Sequence, residues 1–434
     1  MNIIVAEMHF GTGWALTFAL IGALHLLLIW HWLAVRFQRR RILKATICIT
    51  ANVALAAAFL VYFTGFFGGR SAEPYMRPLS YVAGFYLCMF FYMAGVFFFW
   101  DVSRLVRWTA VKIHRLLSGV AVGVADGAKS RGSESAPDGN DAKDQGSKDE
   151  MERGRPHETA GLHRMIRPVY SAKSTLVAVL ICTIMSACAF YAPFHIKATH
   201  YDVEINRRGS DLEHMKAVMI ADSHIGAAVR ENQIDDIVRL TMNANPDVIF
   251  LAGDIFDEGT PESLKEYAST RFSQMKAKYG VYFVLGNHDA YRGDTEEVLG
   301  YMKRAGIICL LDDVTLAGSS FYVAGRIDRS IGRAPLTALE ARMTQDLPVV
   351  LIDHQPSVGE SAESGKIQLQ FSGHTHDGQI FPFHIFDPIS RALTYGLYRR
   401  GAEQIIVSSG CGEFAVPVRF GSPAEIVAVD ISLK

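Results

Sequence analysis

The sequence predicts an α/β domain preceded by an all-α membrane region, because its two halves differ in pattern. The front of the 434-residue chain holds long apolar runs, whereas the back alternates short apolar strands with helical patterns. The formal net charge is only −1, so no polyanionic partner such as nucleic acid is expected. The expected organisation is a region of three membrane spans at 1–120, a linker at 121–165, a fourth span at 166–199 and the α/β domain at 200–434.

Four apolar runs are long enough to cross a bilayer, which takes roughly 20 apolar residues in a helix. They are residues 11–35, 45–65, 81–100 and 174–194. So many apolar runs with so few charges are not expected of buried core helices. None of the four holds an Asp, Glu, Lys or Arg that would mark a transport path, so we expect an anchor rather than a transporter. The N-terminus lacks a basic region and a small-residue cleavage site, so no cleavable signal peptide is expected.

The basic residues of the short loops predict the orientation, since Lys and Arg are enriched on the cytoplasmic side. The loop between the first two spans holds five basic residues, the next loop holds two, and basic residues again flank the linker. This alternation predicts that both termini lie outside, with the catalytic domain extracytoplasmic. Residues 126–158 are rich in Gly, Ser, Asp and Lys and almost free of apolar side chains. They cannot bury a core, so a disordered cytoplasmic linker is expected.

The back half predicts a run of strands and helices. Expected strands are 217–221, 248–252, 281–285, 322–324, 349–352, 367–371, 405–407 and 425–431, and expected helices are 232–243, 261–278 and 295–304. Five strands are each followed by Asp, His or Asn, namely Asp222 and His224, Asp254 and Asp257, Asn287 to Asp289, Asp353 and His354, and His374 and His376. Any one of these groups alone could cap a helix or make a turn. Together they offer the ligand atoms of hard to borderline metals, which predicts a metal site.

The ordered motifs "ADSHIG", "AGDIFDEG", "GNHDA", "IDHQ" and "GHTHDGQI" resemble the calcineurin-like metallophosphoesterase family over about residues 216–431. The segments "YGLYRRG" and "VSSGCGEFAVPVRFGSPAEI" are similar to its membrane-anchored bacterial branch. One departure is Asp377, which stands where that branch usually has a glycine. The resemblance implies a four-layer α/β/β/α sandwich and a metal-dependent phosphoesterase of the phosphodiesterase or pyrophosphatase type.

The resemblance also implies two divalent ions, drawn from Mn, Fe, Zn or Co, about 3.5–4 Å apart. The implied ligands are Asp222, His224 and His376 for one ion, Asn287, His354 and His374 for the other, and Asp254 between the two. A hydroxide bridging the ions would attack phosphorus. His288 would be the general acid or a phosphate contact, and Asp257 would orient His288.

The function expected from these features is a multi-pass, membrane-anchored hydrolase of phosphoester bonds. Glu258 stands where the protein-phosphatase branch has an arginine for a dianionic phosphate, so a phosphodiester or pyrophosphate is the expected substrate. The short tether between the fourth span and the first metal strand favours a lipid-linked or envelope substrate, and membrane lipids as neighbours. The alternative is a catalytically weak metal-binding sensor or an accessory domain of a membrane protein.

Overall fold

The computed structural model of the protein describes residues 42–68, 73–129, 172–206, 211–291, 295–356, 365–385 and 393–434. The chain divides into two compact units, one joining residues up to Cys88 with residues from Met185 onward, and the other holding Met89–Ile184. The front helices are Ile42–Phe67, Met76–Lys129 and Ala172–Ala189, and a 3-10 turn follows at Ala192–Phe194.

Three of the four expected spans fall on these described helices. Two segments, Met76–Ile113 and Ser174–Phe194, are long and apolar enough to cross a membrane, and Val53–Phe67 is a shorter apolar helix. The expected span at 11–35 lies outside the described residues, as does the linker from residue 130 onward. The helix Met76–Lys129 continues past the expected end of its span and into the segment predicted to be linker. The number of spans therefore stays a prediction.

Two six-stranded mixed sheets form the back domain. The first has the order β1-β12-β2-β3-β4-β5, with β1 at Lys197–Ile205, β2 at His214–Ile220, β3 at Val248–Leu251, β4 at Val281–Phe283, β5 at Ile308–Cys309 and β12 at Glu425–Leu433. The second has the order β10-β11-β9-β8-β7-β6, with β6 at Asp313–Ala317, β7 at Phe321–Gly325, β8 at Val349–Ile352, β9 at Leu369–Ser372, β10 at Gly396–Arg400 and β11 at Glu403–Val407. The strands β2 to β5 run parallel, as do β7, β8, β9 and β11.

The two sheets pack face to face through an apolar core. Phe250 of β3 and Phe371 of β9 lie in this core with their ring centroids 5.1 Å apart. The outer face of the first sheet is covered by helices, and the second sheet packs against a short helix on its other face. These helices are Glu231–Asn243, Glu262–Phe272 and Thr295–Arg304 on the first sheet and Leu336–Glu340 on the second. The α/β fold with two mixed sheets is thus confirmed.

The short parallel strands deliver the polar motifs to one end of the sandwich. All four residues of β3, β8 and β9 are buried, which explains the unbroken apolar runs of β3 and β8, whereas β9 alternates Leu and Phe with Gln and Ser. Ligands of such sheets bind beyond the carboxyl ends of the strands. The segments that follow β2, β3, β4, β8 and β9 carry the side chains that were predicted to bind metal.

Candidate metal centre

A first group of possible ligands consists of Asp222, His224 and His376, whose ligand atoms all lie within 4.8 Å of one another. Nε2 of His224 is 3.0 Å from Nε2 of His376, which in turn is 3.7 Å from Oδ1 of Asp222. The two imidazole nitrogens and the carboxylate oxygen thus surround a common point. All three residues are buried, so this arrangement suits a cation.

A second group consists of Asp254, His354 and His374, with ligand atoms within the same limit. Nδ1 of His354 lies 2.8 Å from the carbonyl oxygen of Ala252. Because a carbonyl only accepts, Nδ1 carries a proton, and in the neutral ring Nε2 has the lone pair. Nε2 points at Oδ2 of Asp254, 3.1 Å away. A hydrogen bond of this kind fixes the tautomer of metal-binding histidines.

Asp254 lies between the two groups. Its Oδ2 is 3.8 Å from Nε2 of His224 in the first group and 3.1 Å from Nε2 of His354 in the second. Its other oxygen, Oδ1, accepts a hydrogen bond of 2.8 Å from the backbone N–H of His288. One carboxylate thereby faces both groups.

The side chain of Asn287 offers an independent test of whether metal ions fit here. Its amide nitrogen donates to the Tyr291 hydroxyl at 3.4 Å, but its oxygen Oδ1 is buried without a hydrogen-bond partner among the described residues. A buried acceptor left unpaired costs about 1–3 kcal/mol. A metal ion would satisfy this oxygen, so the residues present fit a pair of divalent ions.

The backbone at the predicted ligands is strained. Left-handed φ angles occur at Asp222 (50°), His224 (42°), Asp254 (54°), His374 (73°) and His376 (52°). Such conformations cost on the order of 1–3 kcal/mol each for residues other than glycine, and they cluster at functional sites. Strain at five of the predicted ligands therefore points to a site whose geometry is held by the surrounding fold.

Two glycines allow the backbone to approach the carboxylates. A Cβ at Gly286 would lie 2.1 Å from Oδ1 of Asp254, and a Cβ at Gly373 would lie 2.1 Å from Oδ2 of Asp222. Both distances are far shorter than any contact between atoms that are not bonded to each other. The glycines that precede Asn287 and His374 in the motifs are therefore required by close packing at the centre.

The structure corrects the predicted partner of His288. Nδ1 of His288 lies 2.9 Å from Oε1 of Glu258, whereas Oδ1 of Asp257 lies 2.7 Å from Nδ1 of His224. The backbone N–H of Asp257 donates to the carbonyl of Ile225, which aligns this segment with the one that carries His224. Asp257 therefore fixes the tautomer of a predicted ligand, and the next residue, Glu258, orients His288.

The buried charges shift the pKa values of the histidines in opposite directions. Burial lowers the pKa of His288, but the carboxylates of Asp254 and Glu258 outweigh it and raise this pKa to about 9. For His376, burial, His224 and the Arg419 guanidinium all lower the pKa to well below its usual value. His376 is thus neutral at physiological pH, as a metal ligand must be. Burial also lowers the pKa values of His354 and His224, but Asp254 and Asp257 respectively outweigh it and raise them, a rise that a bound cation would oppose.

Three residues near the centre lie in the quoted motifs but were given no role as ligands or as partners of His288. The Phe414 ring lies 4.8 Å from the His288 ring and 5.4 Å from the His224 ring, centroid to centroid. Arg419 is fully buried, with Nη2 3.4 Å from Nδ1 of His376. Glu258 was singled out only for its charge. By contrast, Asp377, which stands where the bacterial branch usually has a glycine, belongs to none of the groups of described residues that could hold a metal.

Comparison with known proteins supports the resemblance. Residues 215–378 match the family model described as calcineurin-like phosphoesterase. An uncharacterized metallophosphoesterase of Campylobacter jejuni is 31% identical over 239 residues, which cover 54% of this chain and 62% of that protein. A Danio rerio transmembrane protein with a metallophosphoesterase domain is 28% identical over 280 residues, which cover 60% and 63%.

Among solved structures, the chain is similar to a Thermus thermophilus protein at 14% identity and a TM-score of 0.32, over 46% of this chain and 89% of that one. The chain spans less than two thirds of the length of the curated relatives named above. The segment that matches the family model, residues 215–378, contains both groups of possible ligands. The names of the two relatives above also refer to a metallophosphoesterase. Over residues 215–378 this chain is therefore similar to the calcineurin-like phosphoesterase family, and the relatives it matches are named as metallophosphoesterases.

Proposed function

We propose that this protein is a membrane-anchored, metal-dependent phosphoesterase that uses two divalent ions. The observation that carries this proposal is the convergence of two groups of ligand atoms at Asp254, together with the buried, unpaired oxygen of Asn287, whose neighbour His288 donates its backbone N–H to Asp254. Asp222, His224 and His376 would hold one ion, and His354, His374 and Asn287 the other, with Asp254 between them. These oxygen and imidazole ligands suit Mn, Fe, Zn or Co.

When bound, the two ions supply an acidic water as nucleophile and neutralise charge on the phosphoryl oxygens. Residues of this chain would orient the substrate and donate the proton. Glu258 holds Nδ1 of His288, which leaves Nε2 of that ring for the substrate. With a pKa of about 9, His288 is protonated at neutral pH, so it can donate a proton to the leaving alkoxide or a hydrogen bond to the phosphoryl group.

The charges around His288 favour a substrate with one negative charge per phosphorus. Glu258 is buried beside His288 and offsets its positive charge. A dianionic monoester would therefore meet less net attraction here than it would beside an arginine. This supports a phosphodiester or a pyrophosphate as the substrate.

The purified full-length chain, supplied with Mn²⁺, is expected to hydrolyse an aryl phosphodiester faster than the matching aryl monoester. The rates are compared at equal concentrations by the release of the shared phenol, with a chelator-treated sample as control. Faster hydrolysis of the monoester would contradict the proposed substrate class. Bound metal without hydrolysis of either ester would instead favour the metal-binding sensor.

The contacts of the front helices agree with a catalytic domain that lies on the same side of the membrane as three helix ends, and they would be the same in either orientation. The predicted orientation puts three helix ends on the outer side, together with the catalytic domain. These same ends contact the catalytic domain, since Phe66 lies 5.7 Å from Phe414 between ring centroids, and the backbone N–H of Arg419 donates to the carbonyl of Ala189 at 2.7 Å. A Cβ at Gly84 would meet Val418 at 3.0 Å. A site this close to helix ends favours a lipid-linked or envelope phosphoester.

A topology reporter tests the proposed orientation. A reporter that works only outside the cytoplasm is expected to be active when fused after Lys434 and inactive when inserted in the linker near Gly139. A cytoplasmic reporter at the same two positions serves as the control and should give the opposite result. A strong cytoplasmic signal from the fusion after Lys434 would contradict the extracytoplasmic assignment.

A further inference from the structure

The accessible side of the metal centre has an apolar wall. Most of the predicted ligands are buried, and among the partly exposed residues beside them are His288, His374, Asp377, Tyr291 and Phe414. The rings of Tyr291 and Phe414 both lie against His288, with centroids at 5.1 Å and 4.8 Å. A substrate that reaches His288 must therefore pass beside two aromatic rings.

The backbone of Phe414 is hydrogen-bonded to the side chain of Gln379, which follows the histidine motif. Oε1 of Gln379 accepts a hydrogen bond of 2.9 Å from the N–H of Phe414, and Nε2 of Gln379 donates to the Phe414 carbonyl at 3.2 Å. Nε2 also donates to the carbonyl of Val418 at 3.1 Å. Because one buried amide satisfies both backbone groups of Phe414, the position of its ring is fixed relative to His374 and His376, which lie just before Gln379 in the chain.

A membrane-side helix supports the same wall from behind. The Phe66 ring meets the Phe414 ring edge to face, and the buried Tyr62 hydroxyl donates to the carbonyl oxygen of Ala415. Ala415 has a left-handed φ of 62°, a conformation that persists in a residue other than glycine only where its surroundings enforce it. Tyr62 and Phe66 lie one turn apart on the helix Ile42–Phe67, so one face of this helix contacts both Phe414 and Ala415.

We propose that Phe414 is a specificity-determining residue that packs against an apolar ester group of the substrate, and that the helix Ile42–Phe67 positions it. The inference rests on the proposed phosphoester hydrolysis and adds the substrate class to it. That class is phosphodiesters whose non-leaving ester group is apolar, the kind of group found next to phosphorus in membrane amphiphiles. Tyr62 and Phe66 do not touch the substrate and act as positioning residues.

The test uses two diesters with the same para-nitrophenyl leaving group, one with a methyl and one with a cyclohexyl group as the other ester. Both are alkyl esters of similar intrinsic reactivity, so the ratio of their kcat/KM values reports apolar packing. Full-length, Mn²⁺-loaded wild type is expected to favour the cyclohexyl ester by about tenfold, the lower end of the discrimination that an apolar pocket gives for one methylene group. Phe414→Ala is expected to bring the ratio close to one, and Phe414→Leu to keep part of it.

The helix is tested with Phe66→Ala, and Val61→Ala serves as the matched control because Val61 is 54% exposed on the same helix. Phe66→Ala is expected to lower the ratio toward that of Phe414→Ala, while Val61→Ala keeps the wild-type ratio. A wild-type ratio near one, or a ratio that Phe414→Ala leaves unchanged, would overturn the inference. A wild-type ratio in Phe66→Ala would overturn the role of the helix. If wild type hydrolyses neither diester, the proposed function fails instead.

Discussion

Asp254→Asn is expected to abolish most of the activity and to prevent the binding of both metal ions. Asp254 is the residue whose carboxylate faces both ligand groups, with Oδ2 3.1 Å from Nε2 of His354 and 3.8 Å from Nε2 of His224. The neutral amide keeps the size of the side chain but removes the charge that would screen two adjacent cations. Metal ions stabilise the transition state of such reactions by several kcal/mol. Losing about 4 kcal/mol of this stabilisation lowers the rate roughly 10³-fold.

The measurement has a readout that does not depend on activity. A ligand that binds only the folded state raises its melting temperature, so Mn²⁺ should stabilise wild type and fail to stabilise Asp254→Asn. Asp430→Asn is the matched control, since Asp430 is exposed on β12 and should retain both the Mn²⁺-induced shift and the activity. Two tightly bound ions per chain in Asp254→Asn, measured by elemental analysis, would show that Asp254 does not bridge the metals.

The convergence of the ligands could be predicted from sequence because each ligand follows a short, buried, parallel strand. Such strands read as unbroken apolar runs, and their carboxyl ends meet at one edge of the fold. The prediction placed β8 at 349–352, where the structure has Val349–Ile352. The strands β1, β5, β6 and β10 are absent from the expected strands, because their residues are mostly half-buried or exposed and carry no unbroken apolar run.

The side-chain contacts around the predicted ligands could not be predicted from the sequence in this way. The resemblance assigned Asp257 to His288, but the pairing of its segment with Ile225 turns Asp257 toward His224 and leaves Glu258 for His288. Which of two neighbouring carboxylates faces which histidine depends on how two distant segments align. Phe414 was missed for the same reason, since its contact with His288 joins residues far apart in the chain and leaves no local pattern.

The helix contacts illustrate a further limit of sequence patterns. Hydropathy indicated a span at 45–65, but an apolar run has no feature that distinguishes a lipid-facing side from one that packs on protein. Phe59, Tyr62, Phe63 and Phe66 are buried, whereas Val61 on the same helix is exposed. The aromatic residues of this helix therefore form the face that packs inward, as expected when large rings find partners in the fold.

His288→Ala is expected to slow turnover by about 10²- to 10⁴-fold, the contribution of a positioned general acid, while leaving metal binding intact. The imidazole is the only part removed, because the backbone N–H that donates to Oδ1 of Asp254 remains. His288 shares a group of close ligand atoms with His224 and Asp257, but Asp257 is held by Nδ1 of His224 and His288 by Glu258, so we assign His288 to the substrate and not to a metal ion. Elemental analysis should find the same metal content as in wild type, and His200→Ala, at an exposed position of β1, is the control.

The leaving group distinguishes the two roles that the geometry allows His288. A para-nitrophenolate departs without a proton, whereas an alkoxide needs one, so a general acid matters far more for an alkyl leaving group. If His288 protonates the leaving oxygen, the variant should lose much more activity on a dialkyl phosphodiester than on a para-nitrophenyl ester. An equal loss on both would assign His288 to the phosphoryl oxygens instead. Loss of metal from the variant would contradict either role, since it would make this histidine a ligand.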